Sequence, residues 1–324
     1  MAKILVTGAA GFIAARTCQM LLDQGADVVG VDNLNDYYDV RIKQHRLDQL
    51  RQHEKFIFEQ IDIEDYAGLE KVFVAHQPET VLNLAARAGV RYSLENPHVY
   101  FTTNTLGTLN LLELMRHHGV KKLVLASTSS LYAGQPVPFS ETSPVNTPIS
   151  PYAASKKAAE VTAYTYHHLF NIDVSVVRYF TVFGPCGRPD MCIFRFIKWI
   201  DQQEPIELFG DGSQTRDFTY IDDIARGTIA AIQPLGYEII NLGGGNEPVS
   251  IKYIIEQLEE LLGKRAVIHQ LPFHKADMVQ TQADVSKAQR LLGWKSQVSV
   301  EEGLRKSVEW YQQNLPWSRT LKLV

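Results

Sequence analysis

The chain has 324 residues, with 32 Lys plus Arg against 36 Asp plus Glu and a formal net charge of −4. That balance argues against a dedicated nucleic-acid binder, which carries a basic excess gathered on one face. No apolar run approaches the ~20 residues that cross a bilayer, and 45% apolar residues suffice for one large core or two smaller ones.

Met1-Ala2-Lys3 leads through Ile4-Leu5-Val6-Thr7 into a glycine-rich loop at Gly8, too early for a signal peptide. Cys18, Cys186 and Cys192 have neither metal-ligand spacing nor the look of a disulfide framework. The expectation is a reduced, cytoplasmic enzyme that binds no metal, nucleic acid or membrane.

The first half alternates strands and helices. Lys3–Thr7 reads as a short apolar strand, followed by a glycine turn and an amphipathic helix to about Gln24. Asp27–Val31 is the next strand and stops at Asp32; residues 56–61, 80–84, 122–126 and 174–178 repeat the theme with helical stretches between. Strands separated this way imply parallel crossovers and a doubly wound sheet. Residues 180–215, with Pro185, Pro189 and Pro205, read as loop-rich. Residues 221–231 predict a helix and 238–242 one more strand; from Ser250 onward the chain reads as mainly helical, with Gly263 and Gly293 as C-caps. The expected α/β fold is a Rossmann-type doubly wound parallel sheet from residues 1–179 and 217–243. A smaller, mainly helical substrate domain would come from residues 180–216 and 244–324.

Thr7-Gly8-Ala9-Ala10-Gly11-Phe12-Ile13-Ala14 follows the first strand directly. Gly8 permits the tight turn, Gly11 lets the backbone approach a pyrophosphate, and the helix N-terminus offers free N–H groups to the anion. Asp32 lies 21 residues after Gly11, at the end of the second strand. A carboxylate there accepts the adenosine ribose hydroxyls and repels a 2′-phosphate, so NAD is expected over NADP.

Tyr152-Ala153-Ala154-Ser155-Lys156 opens just after Ser150-Pro151, a cap followed by a proline at the first helical position. The i, i+4 spacing puts Tyr152 and Lys156 on one helix face. A free tyrosine, with a pKa near ~10, is a poor base; a neighbouring ammonium favours the phenolate. The fifth strand ends in Ser127-Thr128-Ser129-Ser130-Leu131-Tyr132, a run of hydroxyls at the carboxyl edge where open α/β sheets bind ligands.

With these strings, Asp62, Leu84-Ala85-Ala86, Asn104, Arg178-Tyr179-Phe180 and Arg216-Asp217-Phe218-Thr219-Tyr220-Ile221-Asp222-Asp223, nearly the whole chain resembles the nucleotide-sugar epimerases among the extended short-chain dehydrogenase/reductases. Asp32-Asn33-Leu34-Asn35-Asp36-Tyr37-Tyr38, Ala88-Gly89-Val90-Arg91-Tyr92-Ser93 and Gly184-Pro185-Cys186-Gly187-Arg188-Pro189-Asp190-Met191 are most similar to those members that act on a uronate. Departures are Ala14-Ala15-Arg16 for Gly-Ser-His, Arg87 for Gln and Ala133 for Gly.

The resemblance implies NAD-dependent 4-epimerisation of a UDP-sugar, UDP-glucuronate to UDP-galacturonate, through a 4-keto intermediate. Tyr152 would take the O4 proton, Lys156 would hold the nicotinamide ribose, and Thr128 would bridge Tyr152 and O4. NAD contacts would come from Gly8, Gly11, Phe12, Ile13, Asp32, Asn33, Asp62, Ile63, Leu84, Ala85, Ala86, Asn104, Ser127 and Tyr179, besides Tyr152 and Lys156. Arg91 and Arg216 would hold phosphate or substrate, Phe209 would stack on uracil, and Asp277 would take the uridine ribose. Thr128, Ser129 and Thr181, with Arg188 nearby, would hold the sugar carboxylate against loss of CO₂. Asp217, Asp222 and Asp223 receive no role and read as a solvated helix start.

Dehydratases and decarboxylases that resemble this chain place acids after the catalytic Thr. Ser129 and Ser130 stand there and cannot act as acids near neutral pH. A UDP-glucose or UDP-N-acetylglucosamine epimerase, a dehydratase or decarboxylase, and an idle NAD-binding regulator stay open as alternatives. A homodimer is expected through a four-helix bundle of residues 94–118 and 152–170. Its apolar residues are Leu106, Leu109, Leu112, Leu114, Val161, Tyr164 and Leu169, and their burial within one subunit is the alternative.

Overall fold

The computed structural model describes residues 3–274 and 277–323. In chain order β1 (Lys3–Thr7), α1 (Phe12–Asp23), β2 (Asp27–Val31), α2 (Val40–Leu50), β3 (Phe56–Glu59), α3 (Tyr66–His76) and β4 (Thr80–Asn83) alternate strictly. Two short turns, α4 (Tyr92–Glu95) and α5 (His98–Tyr100), lead through a π-helical stretch at Phe101–Leu106 into α6 (Gly107–His118). Then come β5 (Lys122–Thr128), a 3₁₀ turn at Ser129–Tyr132, the long α7 (Pro151–Phe170), β6 (Asp173–Tyr179) and β7 (Thr181–Phe183). The remainder is α8 (Cys192–Gln202), β8 (Pro205–Phe209), β9 (Thr215–Arg216), β10 (Phe218–Tyr220), α9 (Ile221–Ala230), β11 (Tyr237–Leu242), β12 (Val249–Ser250), α10 (Ile251–Leu262), β13 (Val267–Leu271), α11 (Ser286–Leu292), α12 (Val300–Gln313) and α13 (Leu315–Ser318).

Seven strands form one parallel sheet in the order β11-β6-β5-β4-β1-β2-β3. Both faces are buried, so its strands are near-continuous apolar runs. Ile4 and Val6 face a core with Ala14, Cys18, Leu47 and Ile224 from α1, α2 and α9. Leu5 faces the opposite core with Phe73, Leu112, Met115 and Ala163 from α3, α6 and α7. The strand order reverses between β4 and β1, which makes the switch point where ligands of such sheets bind. A third apolar cluster joins α8, α10 and α12, with Ile197, Ile254 and Leu304 buried.

Residues 180–215 depart from the loop-rich expectation. The prolines flank an eleven-residue helix, α8, whose Ile193, Phe194, Phe196, Ile197 and Ile200 are buried on one face. That 3.6-residue apolar period was masked by its proline-rich borders. Gly263 and Gly293 do end α10 and α11, with φ of 64° and 61° in the left-handed region that favours glycine. Ser150 caps α7, accepting a bond from the Ala153 N–H at 3.2 Å, with Pro151 in the first turn.

Candidate active site

A cavity of about 740 Å³ lies over the carboxyl ends of the strands and extends toward α8 and β8. Of the residues expected in the site, all but Asn104 line it. Asn104 is buried in the π-helical stretch: its amide donates to the Arg87 carbonyl at 2.9 Å and the Ser155 hydroxyl at 2.9 Å, and accepts from the Arg87 N–H at 2.8 Å. It fixes the loop after β4 without reaching the cavity wall.

The glycine turn is set by contact. Gly8 has φ of 70°, and a Cβ there would lie 2.8 Å from the Ala85 Cα. A Cβ on Gly11 would meet the Gly8 carbonyl oxygen at 2.8 Å. Ala14, in the third-glycine position, is packed in the core of the sheet face with its methyl accommodated. Asp32 accepts the Ala10 N–H at 3.1 Å and the Leu34 N–H at 2.8 Å, so its carboxylate is held at the end of β2 with lone pairs to spare. Asn33 donates to Asp62 at 2.6 Å, which joins the loops after β2 and β3. A glycine-turned helix N-terminus and a fixed acid suit a dinucleotide.

At the other end of the turn, Tyr152 and Lys156 rise from α7 toward β5. Lys156 is buried and donates to the Ala126 carbonyl at 2.9 Å. Burial pulls its pKa down to about 8, against the opposing charge of Glu160. Burial pushes the Tyr152 phenol up, while a hydrogen bond with Thr128 and the charge of Arg188 pull it down. Thr128 also accepts the Ser130 N–H at 3.1 Å, which turns the hydroxyl run into the 3₁₀ turn. Tyr179 shares a 2.8 Å hydrogen bond with Thr228 at the cavity floor.

Glu160 belongs to none of the sequence motifs. Buried with Arg178, it accepts from that guanidinium at 2.8 and 2.7 Å and from the Ser127 hydroxyl at 2.6 Å. Arg178 also donates to the Tyr132 hydroxyl at 2.8 Å, which donates to Asn241 at 2.7 Å. The available signal was spacing: Glu160 lies four residues after Lys156, on the same helix face.

The wall nearer α8 and β8 is cationic and aromatic. Arg188 donates to Asp190 at 3.0 and 2.5 Å within the wall, so the loop ion pair and the cavity position coexist. Arg91 donates to Asp277 at 2.6 Å and lies over the Phe209 ring at 3.7 Å. Arg216 donates to the Thr215 carbonyl at 2.8 Å, and burial lowers its pKa against the opposing charge of Asp277. Arg195 of α8, also outside the sequence motifs, stacks on Trp199 at 4.4 Å and has a buried Nε without a hydrogen-bond partner.

The three acids of the second-half motif are not one solvated helix start. Asp217 is buried and accepts backbone N–H bonds from Gly244, Gly245 and Ala283. Asp223, fully buried, accepts from the Gln297 and Val298 N–H groups at 3.0 and 3.1 Å. Asp222 pairs with Arg16, a residue of the departure at Ala14-Ala15-Arg16, at 2.7 and 2.9 Å. These acids bind backbone and helix to one another, and none lines the cavity.

Residues 4–243 match the NAD dependent epimerase/dehydratase family. The chain is 60% identical over 323 residues to the UDP-glucuronate 4-epimerase of Thermodesulfobacterium geofontis, covering 100% of each. It resembles the UDP-glucuronic acid 4-epimerase of Bacillus cereus, solved with UDP-glucuronic acid and NAD, with a TM-score of 0.90 and 39% identity over 96% of this chain and 99% of that one. The UDP-glucose 4-epimerase of Thermotoga maritima, solved with UDP-glucose, is more distant, at a TM-score of 0.87 and 32% identity over 97% and 99% of the two chains.

Proposed function

The chain belongs to the NAD dependent epimerase/dehydratase family, and from that premise we propose that it interconverts UDP-glucuronate and UDP-galacturonate at C4. The observation that carries this is the company of Tyr152: Thr128, Lys156 and Arg188 share its cavity, and serines follow Thr128 where an eliminating enzyme would need an acid.

NAD, when bound, supplies a reversible hydride acceptor for C4. Tyr152 takes the O4 proton, with Thr128 bridging the two oxygens. Lys156, protonated below about 8, steadies the phenolate and holds the nicotinamide ribose. The 4-keto sugar turns over in the cavity and regains its hydrogen on the other face, while Tyr152 returns the proton to O4. That keto acid would readily lose CO₂. Thr128, Ser129 and Thr181, with Arg188, hold its carboxylate in a plane that resists the loss.

Gly8, Gly11, Phe12 and Ile13 receive the dinucleotide phosphates, Asp32 and Asn33 the adenosine ribose, and Asp62 and Ile63 the adenine. Leu84, Ala85, Ala86, Ser127 and Tyr179 wall the cofactor, and Asn104 serves it through the Arg87 backbone. Arg91, Arg216, Phe209 and Asp277 take the uridine diphosphate. Residues 1–179 and 217–243 act as the cofactor domain, residues 180–216 and 244–324 as the substrate domain; the pairing of β11 with β6 supports this division.

We further propose a cytoplasmic homodimer. No helix among the described residues is long and apolar enough to cross a membrane, and three unpaired thiols suit a reducing compartment. Leu106, Val161, Tyr164 and Leu169 are exposed at 44%, 49%, 53% and 59%, joined by Leu94 and Phe101. Leu112 and Leu114 are buried inside the subunit and take no part, and Leu109 is only partly covered.

The reaction is tested by turnover of UDP-glucuronate in D₂O without added cofactor, read by NMR. The expected product is UDP-galacturonate with no deuterium at C4 or C5, because the hydrogen that leaves C4 is the one that returns. Deuterium at C5 would mean a carbanion beside the ketone and overturn the assignment. A pentose product would mark a decarboxylase.

A further inference from the structure

The sheet order puts β1 between β4 and β2. The loops that follow β4 and β2 therefore flank the glycine turn that follows β1. Arg87 in the first loop donates to the Asn35 side-chain oxygen in the second at 3.2 Å. This bond spans from one flank of the glycine turn to the other.

Both ends of that span are fixed. Asn104 holds the Arg87 backbone at its N–H and its carbonyl, at 2.8 and 2.9 Å. Asn35 donates to Asn33 from its backbone and side-chain nitrogens at 3.0 and 2.8 Å. A second cation meets Asn35: Lys43 of α2, 4% exposed, donates to its carbonyl at 2.8 Å. Asn35, Lys43 and Arg87 all line the cavity with Gly11.

The charges here are unbalanced. Among the described residues neither Lys43 nor Arg87 has a carboxylate within ion-pair distance, and the two repel one another. Asp32 supports the Lys43 ammonium through space, and its two oxygens accept the Ala10 and Leu34 N–H groups. Burial accordingly brings Lys43 down to about 8. A buried ammonium and a guanidinium in the cavity that the helix N-terminus also lines are a site prepared for an anion.

We propose that Lys43 and Arg87, spaced by Asn35, form a cationic clamp over the diphosphate of the bound dinucleotide. The inference rests on NAD as cofactor and assigns this chain two ligands beyond the glycine turn. The helix N-terminus would hold the diphosphate by its backbone N–H groups, and the clamp would supply two positive charges from the loop side. Cofactor retention is the property it serves, since an enzyme that regenerates NAD in each cycle gains from slow release.

The test compares the purified protein with Arg87→Gln and Lys43→Met. Bound NAD is exchanged against the fluorescent 1,N6-etheno analogue of NAD, and its release rate is followed at 50 and 500 mM KCl. The expected result is release about tenfold faster in each variant, as for loss of a charge-assisted hydrogen bond. The acceleration by salt should also be smaller than in the parent, because fewer charges on the protein remain to screen. Arg87→Gln is half-buried and leaves the core alone, so it decides the matter if Lys43→Met folds poorly. Release unchanged in Arg87→Gln, or faster release with the full salt response retained, overturns the clamp. Absence of any dinucleotide from the denatured parent protein would instead overturn the cofactor assignment beneath it.

Discussion

The Arg91 guanidinium lies 3.7 Å above the Phe209 ring while its Nη2 donates to Asp277 at 2.6 Å. Arg91 leaves the loop after β4, whereas Phe209 ends β8, so the contact joins the two sides of the cavity. In the proposed function it covers the ring face that would stack on uracil and the acid that would take the ribose. A nucleotide would then move it aside, and a phosphate would give the guanidinium a new partner.

Arg91→Ala should therefore separate ligands by their phosphates. KM for UDP-glucuronate is expected to rise about tenfold, in line with loss of a hydrogen bond to a charged group, while uridine alone binds as well as before or better. Isothermal titration with uridine and UDP checks this. An equal loss for both ligands would mean that Arg91 shapes the pocket and does not answer the phosphate.

Tyr152→Phe should lower kcat by about 10²–10⁴ with UDP-sugar binding nearly intact, the usual cost of removing a positioned proton carrier. Lys156→Met should do similar damage and weaken NAD as well. Steady-state kinetics beside equilibrium titration separate the two effects, and comparable turnover in Tyr152→Phe would refute its role as the base.

Lys156 is charged below about 8 and neutral above it. Loss of that charge removes support for the phenolate, so kcat should descend as pH rises through about 8. Glu160 holds the Lys156 pKa up, and Glu160→Gln should move the descending limb to lower pH. A pH–rate profile at saturating substrate reads the shift; a limb that stays in place would leave Glu160 a packing role only. Glu160→Ala strands the buried Arg178 charge and should cost about 3–5 kcal/mol in stability.

Asp217 gathers three backbone N–H groups from two distant segments, including Ala283 at 2.8 Å. Asp217→Ala leaves those donors unsatisfied in the interior, at a cost of about 3 kcal/mol or more. Thermal unfolding should show a Tm lowered by several degrees, and an unchanged Tm would mean that solvent reaches the site.

Light scattering at micromolar concentration should give twice the chain mass of 36.6 kDa. Val161→Glu with Leu169→Glu, both on the exposed stripe of α7, should return the monomer. A monomer already in the parent protein would rule out the bundle interface.

Local chemistry determined much of this protein by itself. A strand that ends in Thr7-Gly8, a helix opened by Gly11 and an acid at the end of the next strand specify backbone geometry within one crossover, where few residues need to cooperate. Tyr152 and Lys156 share a face because the helix period puts them there, and the Ser150-Pro151 cap fixes where that helix starts. Relations between distant segments were decided only by the tertiary structure. Leu112 and Leu114 carry the same apolar signal as Leu106, and packing against the sheet alone separates core from exposed stripe. Asp217, Asp222 and Asp223 fall within one seven-residue stretch, yet sheet and loop geometry buries Asp217 and Asp223 and leaves Asp222 to Arg16. Arg87 meets Asn35 because parallel crossovers bring the ends of β4 and β2 to one edge, Glu160 meets Arg178 where α7 packs on β6, and Arg91 meets Phe209 across the cavity from the separate β8–β13 sheet. The strength of each such pairing depends on burial, and burial is a property of the assembled fold.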